Sequence, residues 1–196
     1  MNDSSTGGYL APTVEAPPDE DDALDHLVHD LIAGVTALSP DLVRPRWRPT
    51  VSKQPAPDAN WCAFGVSDQA PDANPVIQHD GTGDGSDTYI RHQSIEVACT
   101  FYGPLAKGYA QRLADGLAIP QNREALGVND MAFVGVSGIR AAPDFVNQQW
   151  IRRYDITVTL RRKITRTYPV LNLLSVHATT TTDSSDPVTS TIDINL

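Results

Sequence analysis

Basic side chains are scarce in this chain: 15 Lys and Arg stand against 24 Asp and Glu, a formal net charge of −9. Binding of free nucleic acid needs the opposite balance, because Lys and Arg meet the phosphates, so the composition speaks against that class. Cysteine is scarcer still. Cys62 and Cys99 lie far apart with neither CxxC nor Cys/His spacing, which removes a thiolate metal site. Both fall in expected strands and read as buried thiols, or as a disulfide if those strands are neighbours. No apolar run approaches the roughly 18 residues of a spanning helix. The first residues carry acids where a secretory leader has a basic and then an apolar region, so no leader is expected. A Walker loop and a dinucleotide fingerprint are missing, and Ser137 lacks the GxSxG frame of an exposed nucleophile.

What the chain has in quantity is alternation. WIRRYDITVTLRRKIT, Trp150 to Thr165, keeps a two-residue period well past the about 5 to 6 residues of an ordinary strand. It reads as one long half-buried strand. Trp150, Tyr154, Ile156, Val158, Leu160 and Ile164 share one face, and Arg153, Asp155, Thr157, Thr159, Arg161 and Lys163 the other. Arg152 and Arg162 interrupt the apolar row near its ends. A strand this long is expected to reach past its own core toward another subunit. Tyr89 to Tyr102 alternates in the same way, with Ile95, Val97, Cys99 and Phe101 on one face.

The remaining segments fit around these strands. The composition, 40% hydrophobic and 20% charged, suits one core-bearing domain. Residues 1–21, rich in Gly, Pro, Ser and acids, are expected to form a flexible acidic arm. Asp22 to Leu38 repeats Leu24, Leu27, Val28, Leu31, Ile32, Val35 and Leu38 at three and four, and acids at its start suit the helix dipole. That predicts a core helix. The Pro-laden segment 41–60 crosses without regular structure, Trp61 to Val66 predicts a strand, and Ser67 to Thr88 a long loop. Gly103-Pro104 turns the chain into a helix that stacks Leu105, Tyr109, Leu113 and Leu117, and Pro120 to Leu126 makes a short second one. Met131 to Ile139 and the long strand predict an antiparallel hairpin, and Val170 to Val176 one more strand. Residues 177–196, dominated by Thr, Ser and Asp, read as a tail, which leaves 22–176 as a single domain. The expectation is an α+β fold: a small antiparallel or mixed sheet with a long β-hairpin and two to three helices on one face.

Candidate chemistry is thin. Asp80, Asp84 and Asp87 cluster with glycines, a pattern hard cations favour, but Arg91 stands where an EF-hand needs a bidentate Glu. The segment reads as a solvated turn, with calcium as the alternative. His26 and His29 share a helix face beside Asp22, Asp25 and Asp30, acids that the helix dipole already accounts for. No segment singles out two acids for hydrolysis, so no catalytic residue, cofactor or metal site is expected and the chain reads as a non-enzyme.

Charge is unevenly spread. Residues 1–30 hold Asp3, Glu15, Asp19, Glu20, Asp21, Asp22, Asp25 and Asp30 with no Lys or Arg. Residues 140–166 hold Arg140, Arg152, Arg153, Arg161, Arg162, Lys163 and Arg166 against Asp144 and Asp155. Such patches either suit head-to-tail contact between copies or are two solvated faces. The row Arg153, Arg161 and Lys163 reads either as the lining of a passage for DNA phosphates or as an inter-subunit salt-bridge surface.

Three blocks belong together: DLVRPRWRP (Asp41 to Pro49) leading to NWCAFGV (Asn60 to Val66), FYGPLAKGYAQRLADGLAIPQNREAL (Phe101 to Leu126), and VNQQWIRRYDITVTLRR (Val146 to Arg162). They resemble the bacteriophage neck and tail-terminator proteins of contractile-tailed phages, over about residues 22–175. The resemblance implies a structural virion protein with neither enzyme activity nor cofactor. It implies a ring, expected hexameric, that caps the tail tube, ends its growth and joins tail to head. The implied partners are further copies of the chain, the tail tube protein, neck connector or stopper proteins, sheath proteins, and DNA passing through the lumen without being read. The implied place is the virion neck or tail after synthesis in the host bacterial cytoplasm, with no membrane. The strand and charge pattern nominates Trp150, Arg153, Arg161 and Lys163 for the subunit interface or lumen. A head-completion adaptor on the portal, and a host-binding module using the loop at 80–87, are the alternatives.

Overall fold

The helical repeat that starts at Leu24 folds as α1 (Asp22–Thr36), which buries Leu24, Val28, Leu31 and Ile32. Ala37 ends it in left-handed backbone at φ 57°. The computed structural model describes residues 2–15, 20–50, 53–146, 148–173, 175–183, 185 and 188–195, without the side chains of 176, 177, 194 and 195. The strands, in chain order, are β1 (Val14–Glu15), β2 (Val43–Pro45), β3 (Trp61–Pro71), β4 (Val76–Asp80), β5 (Ser86–Tyr102), β6 (Met131–Val136), β7 (Arg140–Ala141), β8 (Asp144–Val146), β9 (Gln149–Ile151), β10 (Arg153–Tyr168), β11 (Ser175–Thr181) and β12 (Thr189–Asn195). Between β5 and β6 come α2 (Ala106–Ala118) and α3 (Glu124–Val128). The chain divides into two compact units, one of Ala16–Val76 and Ile90–Thr165, the other of Met1–Glu15, Ile77–Tyr89 and Arg166–Leu196.

In the larger unit the sheet runs β6-β10-β5-β3-β2. β6 and β10 pair antiparallel, Val136 against Val158 and Met131 against Arg162, as the sequence predicts. β3 and β5 are antiparallel, with Trp61 opposite Tyr102. Thr100 meets Asp155 and Gln93 meets Arg162, which sets β5 antiparallel to β10. β2 runs parallel to β3 and makes the sheet mixed. One face presents Cys62, Phe64, Ile95, Val97, Cys99, Phe101, Ile156, Val158 and Leu160. On it pack α1, α2 through Ala110, Leu113 and Leu117, and α3 through Leu126. Each large side chain buried there contributes roughly 1.5–3 kcal/mol, which fixes the helices to this face. The fold is α+β with its helices on one side, as expected. Both cysteines are free and buried although their strands are neighbours, and burial pushes the Cys62 thiol well above its ordinary pKa.

The long strand does not begin where its alternation does. Residues 149–151 turn away as β9 and pair with β8, Trp150 opposite Phe145, so Trp150 leaves the apolar row. Arg152 marks the break: a guanidinium where the row needs an apolar group instead donates to the Pro104 carbonyl at 2.9 Å. At its other end β10 continues to Tyr168. The expected loop 67–88 is largely strand as well, because β3 extends to Pro71 across a bulge at Ser67, and β4 pairs with β5.

The smaller unit carries β1 antiparallel to the end of β10, with Val14 opposite Thr167, and an edge-to-face contact of Tyr89 with Tyr168. Residues 170–173 are irregular rather than strand. The Thr-rich run expected as a tail pairs with itself instead, β11 against β12, from Ser175–Asn195 to Thr181–Thr189. β-branched Thr favours extended backbone, a local preference that the low-complexity reading passed over.

Candidate functional site

The helix-free face of the larger unit's sheet holds a connected polar and aromatic group at the β10 start. Alternation sends Trp61, Tyr102, Thr100, Arg153 and Asp155 to this side, because their neighbours fill the core. Trp61 stacks on Tyr102 with centroids 4.4 Å apart, and the Arg153 guanidinium lies 6.0 Å over the Tyr102 ring. Arg153 donates Nε and Nη2 to the two Asp155 oxygens at 3.0 Å each, and Nη1 to Asp144 at 3.3 Å. Buried Thr100 donates to Asp155 at 2.7 Å and accepts from Arg46. Burial raises the Tyr102 phenol above its ordinary pKa.

The expected basic row is present in part. Arg153, Arg161 and Lys163 do share a face, but Arg161 lies eight residues, roughly 26 Å, along the strand from Arg153 and pairs with Asp72. Two of the three cations are thus neutralised within the chain. Lys163 forms no ion pair among the described residues. Trp150 lies in the middle of β9, opposite Phe145, and not on β10 with the three cations. It packs on Phe145 with centroids 5.0 Å apart, and the two are 69% and 60% exposed. Phe145 was not singled out from sequence; the aromatic residues flanking a short polar stretch were the available signal. Arg162, which interrupts the apolar row, is buried at 1% and pairs with Glu20 and Gln93.

A cleft of about 870 Å³ opens beside Trp61 and Tyr102, walled by His26 and His29 of α1, by Arg44 and by Trp47, whose ring covers Gly65. His29 places Nδ1 2.8 Å from Asp30 and Nε2 2.9 Å from the Pro40 carbonyl. In the smaller unit His79 is held the same way, 2.7 Å from Asp87 and 2.8 Å from the Asn172 side-chain oxygen. A ring between two acceptors needs both N–H groups, so each favours the imidazolium. Burial at His29 opposes the charge, but the Pro40 carbonyl and Asp30 outweigh it and the pKa lies above 6.5. His79 is raised by Asp87 and then Asn172.

The Asp/Gly loop is filled by its own chain. The Asn172 side chain donates to the Gly81 and Gly83 carbonyls at 2.9 and 3.0 Å, and its backbone N–H to the Asp84 carbonyl at 2.8 Å. Gly85, at φ 93°, is glycine of necessity: a Cβ would stand 2.5 Å from Asn172. Three backbone carbonyls of the loop are therefore engaged by Asn172. Among the described residues no group of three or more His, Cys, Asp or Glu is placed to hold a metal, and no helix is long and apolar enough to cross a membrane.

A family described as phage neck terminator protein matches residues 22–185, a span that takes in α1, the sheet of the larger unit and the β8–β9 hairpin. No curated protein matches the chain.

Proposed function

The chain belongs to the phage neck terminator family, a family of structural neck and tail proteins of the virion, and from that membership we propose that it forms a ring that caps the tail tube. The ring, expected hexameric, stops tube growth and offers the surface that joins tail to head, with DNA passing through its lumen. Its partners are other copies of the chain, the tube protein, connector or stopper proteins and, in a contractile tail, the sheath. The protein is made in the host cytoplasm and works without catalysis. The family match over 22–185 carries this reading, and the exposed aromatic hairpin supports it, since a solvated Phe–Trp pair is a common mark of a contact surface. Termination requires one face that fits the last tube ring and another that cannot accept a further tube subunit. Trp150 and Lys163 remain the most available of the nominated interface residues, while Arg153 and Arg161 would enter a contact as ion pairs with Asp155 and Asp72.

Electron microscopy of lysates from a phage with a stop codon in this gene tests the reading. Full heads beside unjoined tails of irregular, excessive length are expected. Normal tails beside heads that have leaked their DNA would move the protein to the portal side, and intact joined particles would end both neck readings.

A further inference from the structure

We propose that the β8–β9 hairpin of one copy docks on the start of α1 in the next. Phe145 and Trp150 make the apolar contact, and Arg140 and Arg152 meet Asp21, Asp22 and Asp25. The proposal rests on the ring reading above and names the two surfaces that would close it.

Folding consumes most of the opposite charge that the sequence offers. Arg153, Arg161, Arg162 and Arg166 each hold a carboxylate of their own chain. Arg140 and Arg152 are exposed and form no ion pair among the described residues; the Arg152 bond to the Pro104 carbonyl leaves its charge in place. These two flank the exposed Phe145–Trp150 pair, Arg140 in β7 just before the hairpin and Arg152 just after it. On the acidic side Glu15 and Glu20 are taken by Arg166 and Arg162. Asp21 forms no ion pair among the described residues, and Asp22 touches Arg48 at 3.7 Å across solvent. Burial holds the Asp25 carboxyl above its usual pKa, with Arg48 pulling it down and Asp22 pushing it up, so three carboxylates at the start of α1 share the single nearby guanidinium of Arg48.

The placement of the patches decides the kind of contact. Arg153 anchors the hairpin base through Asp144, and Arg162 binds Glu20, the residue just before Asp21. Those two arginines are nine residues apart on one strand, roughly 30 Å. An aromatic, cationic patch and a different, acidic patch on one subunit suit a heterologous contact, which repeats from copy to copy and can close. An isologous dimer through the hairpin would set Arg against Arg.

The test supplies full-length variants from a plasmid to the stop-codon phage. Particles bearing Gln148→Cys and Ala23→Cys in one chain, once oxidised, give a ladder of covalent multimers on a non-reducing gel. Either cysteine alone gives none, and the native Cys62 and Cys99 are buried and do not contribute. Separately, Arg152→Glu and Asp22→Arg each lose plaque formation, and the chain carrying both regains it. Joined particles with normal tails that yield no ladder would overturn the contact and leave the ring reading intact. So would a double reversal that stays inactive while each variant keeps the wild-type Tm. A stop-codon phage with intact necks would instead remove the reading on which the proposal rests.

Discussion

Arg162 lies wholly buried on the core face of β10 and takes its counter-charge from Glu20, 142 positions earlier. Gln93 shares the guanidinium at 3.0–3.1 Å, and Nη1 is left without a partner. A cation in an apolar row is costly unless paired, so this contact fixes where the chain enters α1.

Glu20→Ala is expected to cost about 1–3 kcal/mol, below the range for a fully buried pair because water screens the half-exposed Glu20. Arg162→Met should cost less, since it removes both the charge and the orphan N–H. Urea denaturation reads both; the reverse order would show that the guanidinium is held mainly by packing.

Backbone geometry gives a contrasting pair. Gly103 sits at φ 106°, where a Cβ would lie 2.4 Å from the Ala59 carbonyl oxygen, so Gly103→Ala should lose about 2 kcal/mol or more. Gly108, inside α2 with open space around it, should gain up to about 1 kcal/mol on change to Ala. Thermal unfolding of the two variants checks the signs.

Stability should fall as pH rises. His29 and His79 both have folded pKa values above 6.5, so their contribution is complete below that value and disappears as pH climbs through the raised values. The Tm is expected to drop between about pH 6 and pH 8. A chain with His29→Gln and His79→Gln should show a flatter profile; an unchanged slope would assign the effect elsewhere.

Trp150→Ala should shift unfolding by no more than about 1 kcal/mol, because the side chain lies outside the core. The same variant should fail to complement the stop-codon phage. A Tm loss of the size seen for core substitutions would make the hairpin a structural element.

Local periodicity carried the reading of α1 and of the core rows on β5 and β10, because each depends only on which neighbours are apolar. The blocks around Trp61, Phe101 and Trp150 carried the family. What stayed hidden depends on partners remote in sequence. Arg161 and Asp72 are 89 positions apart, so no local rule told that this cation would be neutralised. Trp150 obeys the alternation of the apolar row, yet β10 begins only at Arg153, three residues after the pattern does, and Trp150 belongs to β9. The loop at 80–87 reads as a solvated turn with calcium as the alternative, and the residue that packs into it, Asn172, lies too far along the chain for a local pattern to show.

The position of β10 between β5 and β6 has a consequence for the order of manufacture. The ribosome releases both flanking strands before the one that joins them. Translation adds roughly 5–20 residues per second, so the nascent chain spends seconds with two facing strand edges and an uncovered apolar row. An interior strand that is made last is a reason to expect help from chaperones, and to expect that truncation before residue 168 yields aggregates rather than a smaller folded protein.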